Sequence, residues 1–152
     1  MTEKTIFLNI HTKDLAAATT FYQAIGLEKN KTFSDDSTLC VSYSPQILFM
    51  IHATDRFKTF CDPNKDIVDA TKSTEVLISL TVDTREKVHE MIEKAVKAGG
   101  RADPTKLPQM ENMVCRSFED LDGHIWEVAY MDMNGCGQQG GAGETADATA
   151  AD

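Results

Sequence analysis

The sequence lacks several features that define common classes of protein. Its four cysteines lie far apart, with no CxxC pair and no histidine-rich tract, so a structural zinc site is not expected. No apolar run approaches the ~20 residues that a membrane span needs. Basic residues are also in the minority. The 15 Lys and Arg residues against 24 Asp and Glu leave a net charge of −9, which disfavours nucleic acid as a partner.

The remaining composition is that of an ordinary folded domain. The 152 residues are 41% hydrophobic and 26% charged, and a chain of this length suits one domain. The first residues, MTEKTIFLNI, contain no apolar h-region after the lysine and do not resemble a secretory signal. We therefore expect a cytoplasmic protein with reduced cysteines and no membrane partner.

The composition changes near the C-terminal end of the chain. Residues 134–152 contain five glycines, no lysine and no arginine, and otherwise mostly Ala, Thr and acidic residues. Such a segment cannot bury enough apolar surface to fold. The sequence thus predicts a single domain over 4–131 and a disordered tail over 134–152.

One pattern occurs twice within the predicted domain. Residues 4–13 alternate between apolar and polar side chains, which indicates a half-buried strand. Asp14 is then predicted to cap a helix that ends at Gly26. Residues 75–82 alternate in the same way, and Asp83 is predicted to cap a second helix that ends at a glycine pair.

Each predicted helix is followed by further strand-like segments. They are 30–34, 38–43 and 47–53 in the first repeat and 112–119 and 124–131 in the second. The repeats span about 4–53 and 74–131, and one or two short helices are expected in the connector 54–73. The duplication predicts an α+β fold, in which two βαβββ repeats form a curled, cup-shaped mixed sheet with the helices outside.

Three stretches of the chain also match the pattern of a known superfamily. They are IHTKDLAAATTFYQAIGL, ISLTVDTREKV and the closing segment FEDLDGHIWEV, in which Leu121 stands where the family has proline. In this order the chain resembles the vicinal oxygen chelate superfamily, which includes glyoxalase I, bleomycin-resistance proteins and extradiol dioxygenases. It is most similar to the short proteins described as predicted lactoylglutathione lyases.

The resemblance implies a cup that holds a divalent metal through at most four side chains. In that family the metal chelates two adjacent oxygens of the substrate and stabilises the charge that develops there. The four ligand positions correspond to Phe7, Met50, Leu77 and Glu127 in this sequence. Phenylalanine and leucine donate nothing to a metal, and methionine suits only soft cations. We therefore expect no cofactor, and Zn, Ni or Fe only if the protein is an active member of the family.

Strand parity identifies the side chains that are expected to line the cup. Glu127 is the candidate catalytic residue, with three open roles: a general base, an anchor for a cationic ligand, or a relic of a metal site. Cys115 is a candidate nucleophile only if a neighbour lowers its pKa. Trp126 and His124 have the opposite parity and are expected to face the helices or a partner chain. The expected ligand-binding residues are Phe7, Asn9, His11, Met50, His52, Leu77, Ser79, Thr81, Cys115 and Ser117.

Three functions from different classes fit these residues. The first is a metal-free protein of the bleomycin-resistance type, which binds a small amphipathic molecule in an apolar cup with a few polar side chains. The alternative is a glyoxalase-like lyase or isomerase that acts on an α-oxo or vicinal-oxygen substrate with a divalent metal. The third is a non-catalytic interaction protein. In each case the open sheet edges predict a homodimer.

Overall fold

A computed structural model describes residues 3–108 and 110–132 of the chain, so the predicted tail lies outside the described residues. None of the helices in this part of the chain is long and apolar enough to cross a membrane. The elements in chain order are β1 (Ile6–Thr12), α1 (Leu15–Ala24), β2 (Glu28–Lys29), β3 (Thr38–Ser44), β4 (Ile47–Ala53), α2 (Thr54–Lys58), β5 (Leu77–Thr81), α3 (Arg85–Lys97), β6 (Arg101–Ala102), β7 (Met113–Glu119) and β8 (Ile125–Met131).

Each repeat forms its own four-stranded mixed sheet. The strand orders are β1-β4-β3-β2 and β5-β8-β7-β6, so the two repeats have the same topology. The parallel pairs are β1 with β4 and β5 with β8, and all other neighbouring strands are antiparallel. The predicted α+β class and βαβββ repeats are confirmed. The predicted strand 30–34 is wrong, because the second strand of the first repeat is the two-residue β2.

Two polar side chains begin the long helices. Asp14 caps α1 as predicted, and its Oδ1 accepts hydrogen bonds from the backbone N–H groups of Ala16 and Ala17 at 3.0 and 2.9 Å. The prediction for α3 is wrong by one residue. Thr84 is the cap and accepts from the backbone N–H of Lys87, whereas Asp83 forms an ion pair with the Lys87 ammonium at 2.6 Å.

The connector between the repeats contains one helix, α2, followed by turns. Asp62 and Asp69 each accept a hydrogen bond from the backbone N–H two residues further on, at 2.9 and 3.2 Å. Such local bonds favour a turn over a helix. The second helix considered for this segment is therefore absent from the described connector.

The two sheets share one hydrophobic core, and Trp126 lies at its centre. The indole is fully buried, and its ring centroid lies 4.9 Å from that of Phe49 in the first repeat. Tyr22 of α1 and Phe118 of β7 contact the same indole at 5.6 and 5.9 Å. The predicted orientation of Trp126 towards the helices is confirmed. The core lies on the helix-bearing side of each sheet, so the opposite side of each sheet faces away from it.

A buried carboxylate joins the two repeats within this core. Asp120 accepts hydrogen bonds from the Tyr22 hydroxyl at 2.5 Å and from the Trp126 indole N–H at 3.0 Å. It also accepts from the backbone N–H groups of Asp122 and His124. Burial, and then the Asp120 charge, raise the pKa of Tyr22 well above its usual value. The tyrosine therefore remains a hydrogen-bond donor across the neutral range.

The turn that follows Asp120 forms a second junction. Asp122 accepts from the Thr12 hydroxyl at 2.5 Å and from the backbone N–H of Lys13 at 2.9 Å. Gly123 has φ of +96°, and a Cβ there would lie 2.5 Å from the backbone nitrogen of Thr71. Only glycine fits this turn against the connector. The closing segment of the sequence therefore holds the first repeat in place.

We predict that Asp120→Asn lowers the free energy of unfolding by about 3 kcal/mol, because an amide nitrogen would then face groups that are all donors. Chemical denaturation of the variant and the wild type measures this difference. Asp55→Asn, at an exposed position, is the matched control and should change stability by less than about 0.5 kcal/mol. Equal losses in the two variants would contradict the role given to Asp120.

Candidate functional site

The face of the first sheet turned away from the core carries the predicted site residues of that repeat. In the parallel pairing of β1 with β4, Asn9 lies beside Met50, and His11 lies beside His52. Phe7 has the same parity on β1. All five residues therefore share one face, as strand parity predicted.

The second sheet carries the other predicted site residues on its corresponding face. Ser79 of β5 and Ser117 of β7 flank Glu127 of β8 in neighbouring strands. Leu77, Thr81 and Cys115 have the same parity. The predicted site residues are thus divided between the two sheets, with five on the first sheet and six on the second.

The corrected helix cap makes the two first strands equivalent. Phe7 lies seven residues before the cap Asp14, and Leu77 lies seven residues before the cap Thr84. The two residues therefore occupy matching positions in β1 and β5.

The last strands match in the same way. Asn9 and Ser79 each lie two residues after the matched positions, and they pair with Met50 and Glu127 respectively. Met50 is thus the structural counterpart of Glu127 in the duplicated fold. The two matched pairs are therefore Phe7 with Leu77 and Met50 with Glu127. Among these four residues, only Glu127 has a side-chain oxygen that could bind a metal.

Comparison with known proteins identifies the fold. No family model matches the sequence, and no curated protein is significantly similar to it. A solved hypothetical protein from S. aureus is 25% identical, with a TM-score of 0.69 over 86% of this chain and 95% of its own. A glyoxalase/bleomycin resistance protein/dioxygenase family enzyme from Burkholderia phytofirmans is 15% identical, with a TM-score of 0.69 over 85% of this chain and 99% of its own.

The fosfomycin resistance protein FosX from Listeria monocytogenes is also similar. It is 20% identical, with a TM-score of 0.59 over 88% of this chain and 94% of its own. This chain has the vicinal oxygen chelate fold. The resemblance found in the sequence is therefore confirmed at the level of the fold.

Within this vicinal oxygen chelate fold, His52 is fixed by two polar neighbours. Its Nε2 lies 2.9 Å from Asn9 Oδ1 and its Nδ1 lies 2.9 Å from the Thr38 hydroxyl. With the proton on Nε2, the neutral ring donates to Asn9 and accepts from Thr38. Burial lowers the pKa of His52 below its ordinary value, and the nearby charge of Arg56 lowers it further. His52 therefore acts as a neutral hydrogen-bonding group on this face.

His11 lies at the end of β1 that the connector covers. It is buried under the connector, with Nε2 donating to the Val68 carbonyl at 3.1 Å and Nδ1 lying 3.4 Å from the Thr54 hydroxyl. Together with Lys13, it forms one wall of a cavity of about 670 Å³ that lies between α2 and the turns that follow α2 in the connector. No pattern in the sequence indicated that the connector folds back over this end of β1.

Glu127 is half-buried on the second sheet and accepts a hydrogen bond from the Ser79 hydroxyl at 2.5 Å. Among the described residues, no lysine or arginine forms an ion pair with it. Over residues 3–108 and 110–132, no group of three or more His, Cys, Asp and Glu side chains is placed to hold a metal ion.

The thiol and hydroxyl beside Glu127 do not form a nucleophilic pair. Burial raises the pKa of Cys115, and the Glu127 charge raises it further, so the thiolate is disfavoured. Burial also raises the pKa of Cys40 on the first sheet. Ser117 is fully buried, and its oxygen accepts from the Thr105 hydroxyl at 2.8 Å. The Ser117–Thr105 hydrogen bond joins β7 to the neighbouring loop.

Sequence reasoning missed the aromatic rings that surround the first face. Phe33, from the loop after β2, packs edge-to-face on Phe7 with ring centroids 5.6 Å apart. Phe60 lies 5.1 Å from the His52 ring, and Phe57 lies 5.4 Å from the His11 ring. Phe57 and Phe60 are three residues apart in the segment DRFKTF, a helical spacing that indicated a common side. Phe33 gave no such signal, because a loop of irregular shape places it.

We predict that His52 makes the protein less stable in acid. Because its folded pKa is lowered, the unfolded state binds more protons, so the stability that His52 contributes is present above about pH 6.5 and is lost as the pH falls. The free energy of unfolding should therefore fall more steeply between about pH 7 and 5 in the wild type than in His52→Gln. Parallel pH profiles for the two proteins would contradict this account of His52.

Proposed function

We propose that this protein binds a small amphipathic molecule in a cup of the glyoxalase/bleomycin-resistance type that no longer holds a divalent metal. The observation that carries the proposal is the set of residue types at the four positions that correspond to the family's metal ligands. Three of them, Phe7, Met50 and Leu77, have apolar side chains, and only Glu127 has a carboxylate. Such a surface suits a ligand that is largely apolar and has one polar group.

The residues present do not fit the metal that the fold family implies. Zn²⁺ in a catalytic site takes three protein ligands from nitrogen, oxygen or thiolate groups. Glu127 supplies one carboxylate, while His52 is bonded to Asn9 and Thr38 on the other sheet. No chemical step through a metal is therefore assigned to this chain.

We propose further that the cup is completed by a second copy of the chain. Phe7 and Leu77 are 44% and 52% exposed on their separate faces. β1 and β5 are both edge strands, and open edges favour association. In the proposed symmetric dimer, the first sheet of one chain faces the second sheet of the other. Phe7 and Met50 of one chain then meet Leu77 and Glu127 of its partner, and the symmetry forms two such cups.

The alternative function is a glyoxalase-like lyase or isomerase that acts on a vicinal-oxygen substrate with a divalent metal. The carboxylate of Glu127, retained at the family's closing position, is the observation that favours it. The three apolar counterparts oppose it. For either function we propose a cytoplasmic location, as expected from the sequence.

We predict that Zn²⁺ or Ni²⁺ does not raise the melting temperature, because three of the four family positions offer no ligand. Protein purified without added metal should hold well under one transition-metal ion per chain. Glu127→Gln should change the stability of the empty protein by less than about 0.5 kcal/mol, since Ser79 is able to donate to the amide oxygen as well.

Elemental analysis and thermal unfolding with each metal provide the measurements. Glu93→Gln, on the exposed side of α3, is the control for the change in net charge. One tightly bound ion per chain that is lost in Glu127→Gln and kept in Glu93→Gln would contradict the metal-free function. It would support the lyase or isomerase instead.

A further inference from the structure

We infer that the ligand of the proposed cup is an organic cation that contains a flat aromatic ring and a quaternary or protonated aliphatic nitrogen. This inference rests on the proposed function and names the chemistry of its ligand. Two features of the chain support it, a carboxylate without a cationic partner on one sheet and a set of exposed phenyl rings on the other.

The negative side of the cup is Glu127. Its hydrogen bond comes from the Ser79 hydroxyl, and it forms no ion pair with a lysine or arginine of the described residues. The other acid on the same face, Glu119, is paired with Arg101. Arg116 of the same strand has the opposite parity and is paired with Asp103. Glu127 is therefore the unpaired charge of this face among the described residues, and a cationic group is its natural complement.

The aromatic side of the cup is the face of the first sheet. Phe7, Phe33 and Phe60 are 44%, 48% and 59% exposed, although isolated phenyl rings gain nothing from water. They come from β1, the loop after β2 and the turn after α2, and they surround the same face. The faces of phenyl rings carry negative potential and attract organic cations. Rings and carboxylate together thus favour the same sign of charge in a ligand.

The charges on the first sheet also orient the ligand. The Arg56 guanidinium lies 4.8 Å from the centroid of the Phe60 ring, so this end of the face already holds a cation. Phe7 lies four residues from His11 along β1, roughly 13 Å from that end. The cationic nitrogen therefore belongs beside the Phe7–Phe33 pair and the opposing Glu127 of the partner subunit. The net charge of −9 further attracts cations from solution.

Isosteric probes separate charge from shape. N,N,N-trimethylanilinium and tert-butylbenzene have the same shape and differ by one positive charge. Cyclohexyltrimethylammonium keeps the charge but has a saturated ring in place of the aromatic one. Titration calorimetry with the full chain should show that trimethylanilinium binds about tenfold more tightly than either of the other two. Glu127→Gln should remove the preference for the charged probe, whereas Glu93→Gln, with the same change in net charge, should keep it.

The ring contribution is tested at Phe33, which is exposed and contributes little to the core. Phe33→Leu should reduce the affinity for trimethylanilinium about tenfold, and Phe33→Tyr should restore most of it. Equal binding of trimethylanilinium and tert-butylbenzene would overturn the inference, while the proposed function of binding in the cup would stand. Failure of all three probes to bind would also overturn the inference, and the metal titration tests the metal-free part of the proposed function independently.

Discussion

The buried carboxylate of Asp120 determines how the two repeats sit against each other. It accepts from Tyr22 of the first repeat and from Trp126 of the second, inside the shared core. A buried charge that loses its donors costs several kcal/mol, so the repeats have no freedom to slide past one another. This arrangement places the helix-bearing sides of both sheets together. The faces that carry the site residues are consequently turned outward, which is why we propose that a second copy completes the cup.

The proposed loss of the metal has consequences for the electrostatics of the proposed cup. In a metal-bearing site the ion is the largest local positive charge, and it compensates the carboxylate that binds it. In the site proposed for this chain, Phe7, Met50 and Leu77 offer no oxygen or nitrogen ligand, and Glu127 forms no ion pair with a lysine or arginine among the described residues. The proposed ligand would supply the positive charge that a metal ion supplies in a metal-bearing site. The exposed phenyl rings of the first sheet favour the same charge.

Sequence reasoning predicted the parts of the fold that depend on periodicity. Alternation in β1 and β5 assigned both site faces, because side chains in a strand change sides at every residue. The helix cap at Asp83 was wrong because two adjacent residues are both good caps, and only the backbone geometry selects Thr84. The burial of His11 under the connector and the position of the Phe33 ring depend on loops. Loops have no period, so their paths cannot be read from spacing.

The central claim is that two chains build one cup, and an isotope-filtered NOE measurement on mixed dimers tests it most directly. One chain carries ¹³C-labelled leucine methyl groups, and the other is deuterated except for its phenylalanine rings. Because Phe7 and Leu77 occupy equivalent positions around one cup, the account predicts an intermolecular NOE from the Leu77 methyl groups to the Phe7 ring of the partner subunit. The absence of this NOE between chains, with the same contact present within a uniformly labelled monomer, would contradict it.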